Sequence, residues 1–310
     1  MEAEVASAAK IRARFVTDLE PGISMVAETG WSPRNGAGQS SVIVESLPQR
    51  LLLRFFQQVR SGLMCGRYAL SRLPDEIIEE FEITGGRTGA ILPADWNIAP
   101  TKDIYIIREK EDPNQNLVRE LATVSWGLIA PWSKDTAAAI KSQSQAINAR
   151  TETVESKPTF RSAFRSRRCL IPATGYYEWA TELGEFPSKQ PFYISSADAV
   201  HSTLAFAGIW DLWVDSNGQV HESAALITRP AVDFLAEIHS RMPTFLPRDR
   251  WHDWLAPGTA PIPFLKSLLE FDSPAANLQA VPVSTKVNAV RNNGPELIDE
   301  IEIAAPDTLF

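Results

Sequence analysis

Met64-Cys65-Gly66-Arg67-Tyr68 reads as a protein start placed inside a chain of 310 residues. One of the two cysteines of the sequence follows directly on a methionine there. With Met64 removed, Cys65 would carry a free thiol and a free α-amine on neighbouring carbons. The amine titrates near ~8 and the thiol near ~8.5, so both are partly deprotonated at neutral pH. Together they can capture an aldehyde. The amine forms an imine, and the thiolate then adds to the same carbon to close a thiazolidine. Ring closure within one molecule has a very high effective concentration. An internal Cys65 has no α-amine and cannot do this.

The texture of the chain changes at this point. Upstream, residues 1–63 read as a poorly structured extension. Gly30 to Ser41 (GWSPRNGAGQSS) has linker composition, and Leu47 to Gly62 (LPQRLLLRFFQQVRSG) is apolar and arginine-bearing without an acid. Three readings stay open for it: an over-extended gene model, an extension removed by processing, and a retained functional segment. Downstream, CGRYAL reads as a strand. Pro74-Asp75-Glu76 opens a helix with acids facing its positive end, and Ile77, Ile78 and Phe81 form the buried stripe. Ile104–Arg108 and Leu117–Trp126 look like strands joined across Asp112-Pro113-Asn114. Further strands are predicted at Arg168–Ala173, Tyr176–Trp179, Pro191–Ser195, Thr203–Val214, Glu222–Thr228 and Ala280–Ser284. Pro230–His239 is predicted as a helix with Ala231, Phe234, Leu235 and Ile238 on one face, stopped by Pro243. Two small helices are expected around Arg248–Leu255 and Pro263–Phe271. Many strands with few helices mean an α+β domain over 64–310.

Composition narrows the function classes. The formal net charge of −8 at pH 7 argues against a protein that coats nucleic acid non-specifically, though it permits a local basic groove. Two cysteines make no disulfide framework and favour a reducing compartment. No apolar run is long enough to cross a bilayer. The cysteines and four histidines show no paired ligand spacing, so neither a metal nor another cofactor is expected.

Several residues could carry chemistry. Glu178 lies in GYYEW; packed among Tyr176, Tyr177 and Trp179 it would be desolvated and suited to proton transfer, whereas simple alternation would turn it to solvent. His239, at the predicted helix end in HSRMP, could serve as acid or base or merely cap the helix. Asn148 and Arg150 share a side if their backbone is extended, and could hold a phosphate or a sugar hydroxyl; a surface turn is the plain alternative. Arg161, Arg165, Arg167 and Arg168 form the one dense basic run, either a solvated face or a track for a nucleic-acid backbone. Trp126 and Trp132 flank a glycine bend at Gly127; they are core residues or, if exposed, a stacking platform for bases. Cys169 reads as a small buried hydrophobe.

The order and wording of CGRYAL, WNIAPT, WGLIAPW, INARTET, FRSRRCLIPATGYYEW, KQPFYI, FAGIWDLW and EIHSRMP resemble the SOS-response-associated peptidase family. The family includes bacterial members and the eukaryotic hydroxymethylcytosine-binding protein of embryonic stem cells. The resemblance runs from Cys65 to about Asn293 and implies a single α+β domain of curved, barrel-like β-sheet with flanking helices. It implies covalent capture of abasic sites in single-stranded DNA, shielding them in the DNA-damage response, and the associated labels of hydrolase and lyase. By this likeness Cys65 is the nucleophile, Asn148 positions the opened sugar, Glu178 shuttles protons and His239 assists imine formation and reversal. Arg67 and Arg150 would hold flanking phosphates, and Trp126, Gly127 and Thr228 would line the DNA channel. The expected setting is intracellular, in the nucleus or in the cytoplasm and nucleoid according to source. The expected form is a monomer, off the membrane, with replication-fork proteins as candidate partners. Two departures stand out: Ala130 is inserted before Pro131, and Thr228-Arg229-Pro230-Ala231-Val232 lacks the usual asparagine at its end. Two other functions compete: a thiol peptidase using Cys65, Glu178 and His239, and a non-covalent reader of modified or single-stranded DNA.

Overall fold

The computed structural model describes residues 65–181, 187–198, 203–270 and 277–303; the extension 1–63 lies outside them. The first half holds β1 (Tyr68–Leu70), α1 (Pro74–Glu80), β2 (Arg87–Thr88), β3 (Asp95–Ile98), β4 (Asp103–Glu111), β5 (Leu117–Trp126), α2 (Thr136–Gln145) and β6 (Asn148–Arg150). Next come α3 (Pro158–Ser166), β7 (Arg168–Ala173), β8 (Gly175–Trp179), β9 (Pro191–Ser196), β10 (Leu204–Val214) and β11 (Val220–Pro230). The remainder is α4 (Leu235–Ile238), β12 (Arg241–Pro243), α5 (Trp251–Leu255), α6 (Ile262–Leu269) and β13 (Leu278–Pro282).

Five strands close into a barrel. β4 and β5 form a long antiparallel hairpin, β4 meets β7 at Ile107↔Leu170, and β7 pairs antiparallel with β10 and β10 with β11. A short parallel contact, Ser223↔Ser125 and Ala224↔Trp126, joins β11 back to β5 and completes the ring. Closure removes the unpaired edges that an open sheet would expose. The turn leaving β5 depends on Gly127, whose φ is +111°; a Cβ there would lie 2.4 Å from the Gln143 carbonyl oxygen. A second sheet in the order β13-β9-β8-β1-β3 lies in the same domain. The barrel-like α+β architecture expected from the sequence is the one observed.

An aromatic cluster underlies the junction of the two sheets. The Tyr68 ring meets Trp126 edge-on at 5.3 Å and Phe206 at 6.0 Å, and Phe206 meets Tyr176 at 6.1 Å. Tyr68 is three residues from Cys65 and Tyr176 two from Glu178, so core packing fixes the strands that carry both. Trp126 is 0% exposed, and its indole N–H donates to the Ile147 carbonyl at 3.1 Å. Trp126→Ala should cost about 3–5 kcal/mol, as large-to-small core changes do, since the vacated space cannot fully collapse. Urea unfolding reads this as a lower midpoint at unchanged slope.

The segment after β11 departs from expectation. Pro230 ends β11, and the helix is confined to Leu235–Ile238. Antiparallel pairing of Pro230 with Arg241 and Thr228 with Pro243 draws the chain back beside β11. Pro243 is therefore a strand residue, not a helix stop. Two helices went unforeseen. α2 is polar and buries Ala139, with Asp135 capping the Ala138 N–H. α3 buries Phe160, Ala163 and Phe164, a helical spacing obscured by its arginines.

Candidate active site

β1 and β8 run antiparallel with Tyr68 opposite Tyr176, and the Tyr177 N–H donates to the Arg67 carbonyl at 3.0 Å. Extending that ladder past Arg67 brings Cys65 alongside Glu178. The Cys65 N–H donates to Glu178 Oε1 at 3.0 Å. Both residues are buried, at 3% and 4% exposure. Strand alternation does not send Glu178 to water because both faces of β8 are covered. Tyr176 packs into the barrel core, and Tyr177 packs with Ala69, Tyr193, Val283 and Val287.

Three further elements converge here. β6 pairs in parallel with β11, placing Asn148 opposite Leu226, and Asn148 Nδ2 donates to the Cys65 carbonyl at 3.3 Å. Ala149 is fully buried between Asn148 and Arg150, so those two share the other side, with Arg150 exposed. His239 follows directly on α4, is buried, and places Nδ1 3.9 Å from Glu178 Oε2. Cys65, Asn148, Glu178 and His239, far apart in sequence, thus form one cluster.

Electrostatics favour the protonated forms. Burial, reinforced by the Glu178 charge, pushes the Cys65 thiol well above its ordinary value, and Arg241 opposes that push. Burial also raises the Glu178 carboxyl, opposed by His239 and by the Cys65 hydrogen bond. The backbone adds strain, since Cys65 has a φ of +36°, in the left-handed region that side chains disfavour. Among the described residues no group of His, Cys, Asp and Glu could hold a metal, and no helix is long and apolar enough to cross a membrane.

The DNA-facing candidates divide. Arg67 is half-buried: its Nη1 donates to Asn97 Oδ1 at 2.7 Å and to the Val287 carbonyl at 2.8 Å, and its guanidinium lies 5.8 Å from the Trp179 ring centre. Trp126 is core and offers no stacking face, which corrects the reading of it as a channel wall. Gly127 and Thr228 are buried as well, with Thr228 Oγ1 accepting from Arg241. Exposure in this stretch belongs to Trp132 instead. Arg161 and Arg165 sit on the exposed side of α3. The rest of the basic run is structural: Arg167 pairs with Asp211 at 2.8 Å, and buried Arg168 donates into a ring of carbonyls including Trp254.

Sequence reasoning gave no role to Arg241, Glu152 or Asn97. Buried Asn97 donates to the carbonyls of Val287, Ala289 and Asn292, tying the loop after β13 to Arg67. Its signal lay in WNIAPT, as that of Glu152 lay in INARTET and that of Arg241 in HSRMP.

Residues 64–290 match the family described as SOS response associated peptidase (SRAP). The chain is similar to the abasic site processing protein YoaM of Bacillus subtilis, 35% identical over 237 residues, covering 76% of this chain and 98% of that protein. It is similar also to the abasic site processing protein HMCES of Xenopus tropicalis, 29% identical over 270 residues, covering 77% and 78% of the two chains. A solved structure from Bacteroides thetaiotaomicron superposes with a TM-score of 0.64 at 25% identity, covering 77% of this chain and 100% of that one.

Proposed function

The chain belongs to the SOS response associated peptidase family, and we propose that it processes abasic sites in DNA by capturing them covalently at Cys65. Its relatives YoaM and HMCES are named as abasic site processing proteins. The observation that carries the reading is the 3.0 Å contact between the Cys65 nitrogen and the Glu178 carboxylate. With nothing joined to that nitrogen, the Cys65 amine attacks the aldehyde carbon of the ring-opened sugar. Glu178, whose carboxyl burial raises toward the range of a general acid, gives a proton to the departing hydroxyl, and water leaves as the imine forms. The thiol then adds to the imine carbon while its proton passes to nitrogen, closing the thiazolidine. Asn148 holds the Cys65 carbonyl, so that amine and thiol keep one orientation toward the sugar. Single strands are the proposed substrate, because an unpaired lesion exposes its aldehyde without the cost of opening a duplex.

A second reading, self-cleavage of the Met64–Cys65 bond, is favoured by the strained φ of Cys65. The Cys65 thiol would attack the Met64 carbonyl, its proton passing by way of Glu178 to the leaving nitrogen, and water would hydrolyse the resulting thioester.

The test incubates protein beginning at Cys65 with abasic and intact single strands, followed by a denaturing gel. A shifted band with the abasic strand alone is the expected result. Peptide turnover with no shifted band would replace capture by proteolysis, and native-gel binding alone would leave a non-covalent reader.

A further inference from the structure

Arg241 stands at a junction that the capture scheme leaves unused. Its buried guanidinium grips the Glu152 carboxylate with both terminal nitrogens, Nη1 to Oε1 and Nη2 to Oε2 at 3.0 Å. Nη2 also donates to the Thr228 carbonyl at 2.7 Å. The main chain of the same residue faces His239. The Arg241 N–H donates to His239 Nδ1 at 3.1 Å, and the Arg241 carbonyl oxygen lies 3.3 Å from that nitrogen. A bare Nδ1 thus finds a donor and a protonated Nδ1 finds an acceptor, both from one residue. Glu152 comes from the segment that supplies Asn148, so a single stretch touches Cys65 directly and Arg241 from behind. Its side chain remains 47% exposed.

We propose that Glu152 is a positioning residue for the reaction at Cys65: its two-point grip on Arg241 sets where that charge stands and holds the backbone that serves His239. The inference rests on Cys65 being the reacting residue. The physical reason is charge compensation. A carboxylate in contact with a guanidinium cancels most of the field that the cation alone would exert on a nearby thiol. Three groups act on that thiol, Glu178 and Tyr176 from β8 and Arg241 from β12, and His239 after α4 stands 3.9 Å from Glu178. Glu152→Gln alters none of them chemically, keeps an oxygen for the Arg241 fork and removes only the compensating charge.

The experiment follows alkylation of Cys65 by iodoacetamide across the thiol titration range in the full chain, read on the Cys65 peptide by mass spectrometry, without DNA. Glu152→Gln is expected to move the midpoint down by roughly half a unit, because the uncompensated cation favours the thiolate. Glu152→Asp restores the wild-type midpoint, and Glu152→Gln with Arg241→Gln moves it above wild type. Long-range proton–nitrogen NMR of the imidazoles should show the His239 Nδ1 resonance displaced in Glu152→Ala. An unmoved midpoint in a folded Glu152→Gln protein overturns the proposal. Because no strand is present, that failure leaves abasic capture standing. A shifted midpoint in a protein that never crosslinks abasic strands would sink the capture reading alone.

Discussion

Glu178→Gln slows covalent capture of an abasic strand by about 10²- to 10⁴-fold, the range for loss of a general acid–base group. That is ~3–5 kcal/mol of barrier. The same change makes the folded protein more resistant to unfolding at neutral pH. Glutamine keeps an oxygen for the Cys65 nitrogen but gives no proton to the departing hydroxyl, so binding persists while the chemical step fails. The stability effect has the opposite sign because burial raises the Glu178 carboxyl in the folded state. From its ordinary value near 4.5 up to the raised value, the folded chain holds more protons than the unfolded one. Stability contributed at this position is therefore lost as pH rises through that window. A neutral glutamine removes the loss, so the gain over wild type grows with pH across the window and then levels off. Single-turnover gels give the rate, and thermal melts over a pH series give the stability. A variant that crosslinks at the wild-type rate would leave Glu178 as packing and nothing more.

Local pattern made much of this fold legible. Leu117–Trp126 and Arg168–Ala173 are runs of strand-forming residues bounded by turns, and the strands end where those runs end. Closure of the barrel was not readable from such pattern. It depends on the parallel contact of Ser125 with Ser223, residues 98 apart. The helix foreseen over Pro230–His239 had its apolar residues at helical spacing, but pairing of β12 with β11 overrode that preference. In the site, residue types and motif order named Cys65, Asn148, Glu178 and His239. Burial of Glu178 could not be told from alternation, because a strand covered on both faces has no solvent side. Arg241 escaped notice because its importance lies in its partners: Glu152, Thr228 and His239 come from three places in the chain. The tryptophans were open between core and stacking platform for the same reason, since neither residue type nor spacing says whether Trp126 or Trp132 meets water.

Protein beginning at Met1 and left uncleaved should form no stable thiazolidine, while protein beginning at Cys65 should crosslink abasic strands readily. A peptide bond on the Cys65 nitrogen delocalises its lone pair into the carbonyl, so that nitrogen is neither basic nor nucleophilic. No shift of a neighbouring pKa restores the missing amine. Proximity to Glu178 does not help either, because an amide N–H only donates to that carboxylate, as it does in the 3.0 Å contact. One added glycine before Cys65 separates the chemistry from the bulk of residues 1–63. It restores an α-amine to the chain end but moves it away from the thiol-bearing residue, so the five-membered ring can no longer close. The glycine-blocked protein should therefore form no thiazolidine, and its displaced amine leaves at most an imine that only a reductant traps. Cys65→Ala at the chain terminus should show a different loss: the amine survives, so an imine remains trappable by a reductant although no thiazolidine forms. Mass spectrometry of each N-terminus before the assay, followed by denaturing gels with and without reductant, checks all four preparations. Robust crosslinking without reductant by verified, uncleaved 1–310 or by the glycine-blocked form would sink the terminal-amine mechanism and move the search to a lysine or to the thiol acting alone.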